Sequence, residues 1–203
     1  MEPLTRHRKP IQERSRERVE RVIAAAEDML MARGPEETSI PEIAEVSGVT
    51  RASIYQFFPS KYALFLAIAE HHLNAVADLT ESVGKALADA SWETLVEQAC
   101  RGAAAYYNRN PVASMLILGG PMSRNAYLAQ ETTIQDIGRR VRDLFRLQQP
   151  ETQLPDSPDV TTLAVEIAFA CMRHGYLLEA RISDQAIEQA RLAATSYLKN
   201  WLG

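Results

Sequence analysis

Residues 39–61 read SIPEIAEVSGVTRASIYQFFPSK, two short helical segments separated by a glycine. Ser39 and Glu42 stand at capping-box spacing, and Pro41 in the first turn sacrifices no helical hydrogen bond, because the first amides of a helix have no partner. A helix is therefore predicted to begin here. Ile40, Ile43, Ala44 and Val46 supply its apolar stripe, and Gly48 sits where a chain leaves a helix through positive φ. Val49 is expected to point back to the core. Thr50 is placed to cap a second helix whose inward face is Ala52 or Ser53, Ile54, Phe57 and Phe58, leaving Thr50, Arg51, Tyr55 and Gln56 outside. The small Ala44 lets the two helices cross closely, so that the outer one stands clear enough to enter a major groove. This is the pattern of a helix-turn-helix.

Within that stretch, GVTRASIYQFFPSK resembles the tetracycline-repressor (TetR) family of bacterial transcription regulators. The family pattern runs glycine, valine, serine, two variable positions, threonine, leucine, tyrosine, any residue, tyrosine, phenylalanine, any residue, serine, lysine. The resemblance covers about residues 10–65 and combines the turn, the aromatic pair and Ser-Lys at fixed offsets. Three positions depart from it: Ala52 replaces a frequent glycine, Phe57 the second tyrosine, and Tyr62 a usual acid. Phe57 lacks the hydroxyl that could reach phosphate, so that contact is not carried over. Tyr62 removes a favourable charge near a helix N-terminus without altering the expected fold.

The resemblance implies an all-α protein with a basic arm over 1–10, a helix-turn-helix DNA-binding head over 11–62 and a helical ligand-binding and dimerisation domain over 63–203. It implies a homodimeric repressor of a palindromic double-stranded DNA operator, answering to a small-molecule effector, without a cofactor. It makes Thr50, Tyr55 and Lys61 the matched phosphate contacts, and hydroxyls and an ammonium near helix N-termini suit anionic oxygens. Thr38 and Ser39 are further candidate phosphate donors, with a pure capping role for Ser39 as the alternative.

The 203 residues are 46% hydrophobic, ample for a buried core, and carry a formal charge of −4. A negative total does not exclude DNA, because only the contacting face must be positive. Residues 1–21 hold seven basic side chains, Arg6, Arg8, Lys9, Arg14, Arg16, Arg18 and Arg21, against four acidic ones. Arg6, Arg8 and Lys9 are expected to form a DNA-contacting arm. No apolar run approaches a membrane span and MEPLTRHRKP lacks the apolar segment of a signal peptide, so a cytoplasmic location is expected. Cys100 and Cys171 lie in apolar helical patterns and are expected to be buried free thiols.

Along the chain, Val19, Val22, Ile23, Ala26, Met29 and Leu30 recur at helical spacing, and Arg33-Gly34-Pro35 is a stop signal, predicting a first helix over 11–33. Ser60 caps a long fourth helix that frays near 84–90. Ser91 and Thr94 open a fifth helix, broken at Asn110-Pro111, and a short apolar sixth runs to Gly119-Gly120-Pro121. A seventh spans 124–147 with Tyr127, Ile134, Ile137, Val141, Leu144 and Phe145 inward. A loop with three prolines follows over 148–158, then two final helices over 159–180 and 183–201. No sustained period-two alternation predicts a strand.

Arg51 and Gln56 are the candidate base readers, since both carry groups that match base edges; solvent exposure or phosphate contact are the alternatives. Trp92, Tyr106, Met115, Met122, Phe145, Phe169, Met172 and His174 offer the aromatic, soft and polar groups of a small apolar ligand pocket, or are ordinary core. Glu166 and Arg173 share a helix face and either orient a polar ligand or form charge pairs. Cys171 and His174 lack a third ligand for a metal site. Small residues Ala164, Ala168 and Gly175 are candidates for a close four-helix dimer interface. No phosphate loop, nucleophile elbow or His-Glu-x-x-His pair points to an enzyme. The alternative from another class is an all-helical small-molecule carrier or interaction protein without specific DNA binding.

Overall fold

The computed structural model describes residues 11–120, 123–148 and 154–202. Its helices are α1 (Ile11–Glu37), α2 (Ile40–Ser47), α3 (Arg51–Phe57), α4 (Lys61–Ala86), α5 (Trp92–Arg109), α6 (Pro111–Ala113), α7 (Arg124–Gln148), α8 (Val160–Glu179) and α9 (Asp184–Leu202). A π-helical turn, Ser114–Leu118, continues α6. The chain is all-α, as the sequence predicts, with no strand among the described residues. It divides into two compact units, a head, Met1–Phe65, and a body, Leu66–Gly203. Arg6, Arg8, Lys9 and Met122 lie outside the described residues.

In the head, α1 breaks at Gly34, whose φ of 77° belongs to the left-handed half of the map that glycine tolerates best. The break falls where Arg33-Gly34-Pro35 predicts it. Helices α1, α2 and α3 pack together, and Val22, Ala26, Leu30, Ile40, Ile43 and Ile54 are all nearly inaccessible to solvent. Two inward assignments fail. Val46 is 62% exposed, because the buried face of α2 runs through Ile40, Ile43, Ala44 and Ser47 at i, i+3, i+4 and i+7. Ser47 is tolerated there because its Oγ accepts the Val49 N–H at 3.3 Å. Phe57 is also exposed. Helix α3 ends there, and Phe58 leaves it extended (φ −129°, ψ 97°), so that Phe58 takes the inward place.

The body is centred on Trp92, Leu95, Phe145, Val160, Ala164, Leu198 and Leu202. Trp92 meets Phe145 edge-on, with centroids 6.5 Å apart and planes at 78°, a favoured aromatic geometry. Helix α8 packs against α7 and α9, and α5 against α9. Gly138 permits the close α7–α8 approach: a Cβ there would lie 2.7 Å from the Thr162 Cα. Asn108 braces α5 to the α8–α9 connection, its amide nitrogen donating to the Ile182 carbonyl at 2.8 Å and its oxygen accepting the Ile182 N–H at 2.9 Å. Tyr127 is half exposed and not inward, since the buried stripe of α7 begins at Gln130. Cys100 is buried and Cys171 half-buried, both as free thiols. No helix is long and apolar enough to cross a membrane among the described residues.

Candidate nucleic-acid interface and body cavity

The turn between α2 and α3 depends on Gly48, whose φ of 64° and ψ of 23° end α2 in the left-handed conformation. A side chain there would find room, with its nearest neighbour at 3.8 Å, so the backbone angle is what calls for glycine. Arg21 of α1 braces the same turn by donating to the Ser47 carbonyl at 3.4 Å. Beyond the turn Thr50 caps α3: its Oγ1 accepts the Ser53 N–H at 3.3 Å. That leaves the hydroxyl proton of Thr50, which is exposed, available to an acceptor outside.

Arg51, Ala52, Tyr55 and Gln56 form the open face of α3, at i, i+1, i+4 and i+5. Arg51 and Gln56 make no hydrogen bond among the described residues, and Tyr55 is 49% exposed. Ile54 and Phe58 on the opposite side anchor the helix to the head, so the free face is presented on a packed scaffold.

Three of the candidate phosphate contacts are otherwise engaged. Thr38 is fully buried, and its hydroxyl donates to the Gly34 carbonyl at 2.7 Å, tying down the α1 break; its side chain does not face out. Ser39 does not complete the expected capping box. Its hydroxyl donates to the Glu42 carboxylate at 2.6 Å and makes no side-chain cap. Arg33 donates to the other Glu42 oxygen at 2.7 Å, and the Ser39 and Arg33 hydrogen bonds hold the Glu42 pKa below its ordinary value. A carboxylate beside Ser39 repels a phosphate, so Ser39 is a poor contact. Lys61 donates to the carbonyls of Pro35 and Glu36 at 3.0 and 3.1 Å, joining the start of α4 to the end of α1. Lys61→Ala is therefore expected to lower the melting temperature of the protein. An unchanged melting temperature would show the two carbonyl contacts to be dispensable.

Sequence reasoning passed over the stripe Arg14, Arg18 and Arg21 on α1, although their spacing of four and three already places them on one helix face. Arg18 reaches the Ser53 hydroxyl of α3 at 3.4 Å, so this stripe borders the open face of the second helix.

Residues 22–68 match the family model described as bacterial regulatory proteins, tetR family. Over that segment the head is similar to the DNA-binding region of the tetR family. Among solved structures it is similar to a TetR-family transcriptional regulator from Streptomyces coelicolor, at 22% identity over 93% of this chain and 99% of that one, with a TM-score of 0.71. It is also similar to a TetR transcriptional regulator from Rhodococcus sp. RHA1, at 18% identity over 92% and 98%, with a TM-score of 0.63. A third is SmeT, the repressor of the Stenotrophomonas maltophilia multidrug efflux pump SmeDEF, at 17% identity over 90% and 89%, with a TM-score of 0.62. At these identities the likeness shows a shared fold across head and body. No curated protein sequence matches the chain.

The body holds a cavity of about 120 Å³. Phe145, Phe169 and Met172 line it. Ala164 and Ala168, expected in a dimer interface, line it as well, and Gly175 packs on Ala186 of the same chain, where a Cβ would stand 2.5 Å from the Ala186 Cβ. Ala164 and Ala168 therefore face the cavity, and Gly175 faces α9 within one protomer. The remaining pocket candidates stand elsewhere. Trp92 belongs to the core, Tyr106 places its hydroxyl 2.8 Å from the His72 Nδ1, His174 is exposed, and Met115 sits in the π-helical turn without lining the cavity. Glu166 and Arg173 do not line it either; burial, followed by the nearby Glu131 carboxylate, raises the Glu166 pKa.

Proposed function

We propose that this regulator binds a palindromic DNA operator as a homodimer, as a repressor that a small molecule releases. The observation that carries the reading is the open face of α3, with Arg51, Tyr55 and Gln56 on a short helix set off by the Gly48 turn. Arg51 and Gln56 read base edges, Thr50 and Tyr55 bind phosphate, and the α1 arginines add positive charge alongside. Two such heads engage successive major grooves with their recognition helices about 34 Å apart. SmeT supports the repressor reading by analogy of fold.

Dimerisation uses the exposed apolar side chains of α8 and α9. Leu163, Leu177 and Leu178 on α8 are 41%, 61% and 71% exposed, and Leu192 on α9 is 48% exposed. Leu163, Ala170 and Leu177 recur every seven residues, the spacing of a helix-packing seam, and all three are exposed in the single chain.

Sequencing of DNA fragments retained by the purified protein tests the reading: an enriched palindrome supports it, and retention without sequence preference counts against it. On the selected operator, Arg51→Ala is expected to cost roughly 1–3 kcal/mol and to relax preference at one base pair of each half-site. An equal loss on every sequence would assign Arg51 to phosphate.

A further inference from the structure

We propose that the body cavity is the site of a compact, uncharged aromatic alcohol, a single-ring phenol, whose hydroxyl hydrogen-bonds to that of Tyr107. The inference rests on reading the body as the ligand-sensing part of the regulator, and it adds the chemical class of the ligand.

Size comes first. A cavity of about 120 Å³ is close to the roughly 150 Å³ apolar cavity that accepts benzene, which limits the occupant to about six to ten non-hydrogen atoms. Polycyclic or long-chain ligands exceed it.

Charge comes next. The lining is drawn from α4, α5, α7, α8 and α9, and none of its residues is acidic, basic or histidine. An ion placed there would lose its hydration and meet no counter-charge, a penalty far larger than the contacts of a small ring recover. The site already disfavours charge on its own groups: burial, the main cause, and then the neighbouring Cys171 push the Cys100 thiol up to about 12.

The polar inventory then selects the functional group. Only Thr80, Cys100 and Tyr107 among the lining residues carry a hydroxyl or thiol. Thr80 spends its proton on the Val76 carbonyl at 2.9 Å, and a thiol is a weak donor. Tyr107 is 2% exposed, and its hydroxyl makes no hydrogen bond among the described residues. A buried hydroxyl of this kind favours a ligand that brings one partner. One hydroxyl on an otherwise hydrocarbon ring satisfies it, and a second polar group on the ligand would find no match.

Three probes on one skeleton test this by calorimetry with the full chain and no DNA: toluene, p-cresol and 4-methylbenzoate. p-Cresol is expected to bind about tenfold more tightly than toluene, the worth of one buried hydrogen bond. 4-Methylbenzoate is expected to bind at least about 100-fold more weakly than p-cresol. Tyr107→Phe should bring p-cresol to the affinity of toluene while leaving toluene itself unchanged. Ala168→Leu, which fills the cavity from α8, should abolish binding of both. The proposal is overturned if no probe binds the native protein, if 4-methylbenzoate binds as well as p-cresol, or if the preference for p-cresol survives in Tyr107→Phe. Operator affinity with and without p-cresol is read separately. Binding without a change in that affinity upholds the cavity assignment and counts against the ligand-responsive part of the proposed function.

Discussion

Leu177→Arg is expected to turn the dimer into a monomer at micromolar concentration and to weaken operator binding by roughly 100-fold or more, the loss that follows when two linked half-site contacts become independent. A twofold interface sets the same surface of each protomer against its copy, so an arginine on α8 brings two cations together and strips them of water. Leu177 is 61% exposed in the single chain, so the substitution disturbs little inside the protomer and helicity should be retained. Leu147→Arg on α7, at a site 80% exposed, is the control and should change neither assembly nor DNA binding. Sedimentation and operator titration of the two variants decide the matter. A Leu177→Arg dimer of normal affinity would remove this face of α8 from the interface. Arginine at Ala168 would give a different result, since that residue faces the cavity and a charge there would perturb the protomer itself.

The head was legible in the sequence because its determinants are local. Gly48, the Thr50 cap and the Ile54 contact with the core are decided within a few residues, and each stands where its spacing predicts. The errors there have equally local causes. Ser47 displaced Val46 from the buried face by finding a backbone partner in Val49, and the end of α3 turned Phe58 inward in place of Phe57. Thr38 and Lys61 misled for another reason. Their partners, the carbonyls of Gly34, Pro35 and Glu36, become available only where α1 breaks, and a hydroxyl or ammonium aimed at such a carbonyl is indistinguishable in sequence from one aimed at phosphate. The body was legible only as a series of helices. Which face of α8 meets its own chain depends on the rotation of α8 against α7 and α9, so that Ala164, Ala168 and Gly175 could be recognised as close-packing residues but not assigned to the inside of one protomer. Tyr107, beside the more exposed Tyr106, carries no sequence signal that distinguishes it as the cavity residue.

Arg142→Ala is expected to cost about 3 kcal/mol of stability at pH 7, at the low end for a severed buried ion pair because its partner Asp159 is 43% exposed. Arg142 is itself 7% exposed. It donates to the carbonyls of Leu154 and Pro155 at 3.2 and 3.0 Å and to the Asp159 carboxylate at 2.9 Å, fastening the segment before α8 to α7. Asp159 in turn caps α8 by accepting the Thr162 N–H. Partial burial pulls the Asp159 pKa upward, but hydrogen bonds from Thr162, Arg142 and Thr161 outweigh it and bring the value from the ordinary 3.8 to about 2. A carboxylate whose pKa is lower in the folded than in the unfolded state stabilises the fold fully above the unfolded value and loses that contribution as pH falls toward the folded one. After discounting for exposure this contribution is about 1 kcal/mol, present above pH 4 and lost between about pH 4 and pH 2. Without Arg142 the Asp159 pKa returns toward its ordinary value, so the stability gap between wild type and Arg142→Ala should narrow across that window. Arg142→Met, which keeps an aliphatic stem at this buried position, should recover the packing share and none of the pH dependence. Urea unfolding of the three proteins at pH 7 and pH 2.5 measures both quantities. A gap of equal size at the two pH values would mean that the guanidinium acts through the two carbonyls and not through Asp159.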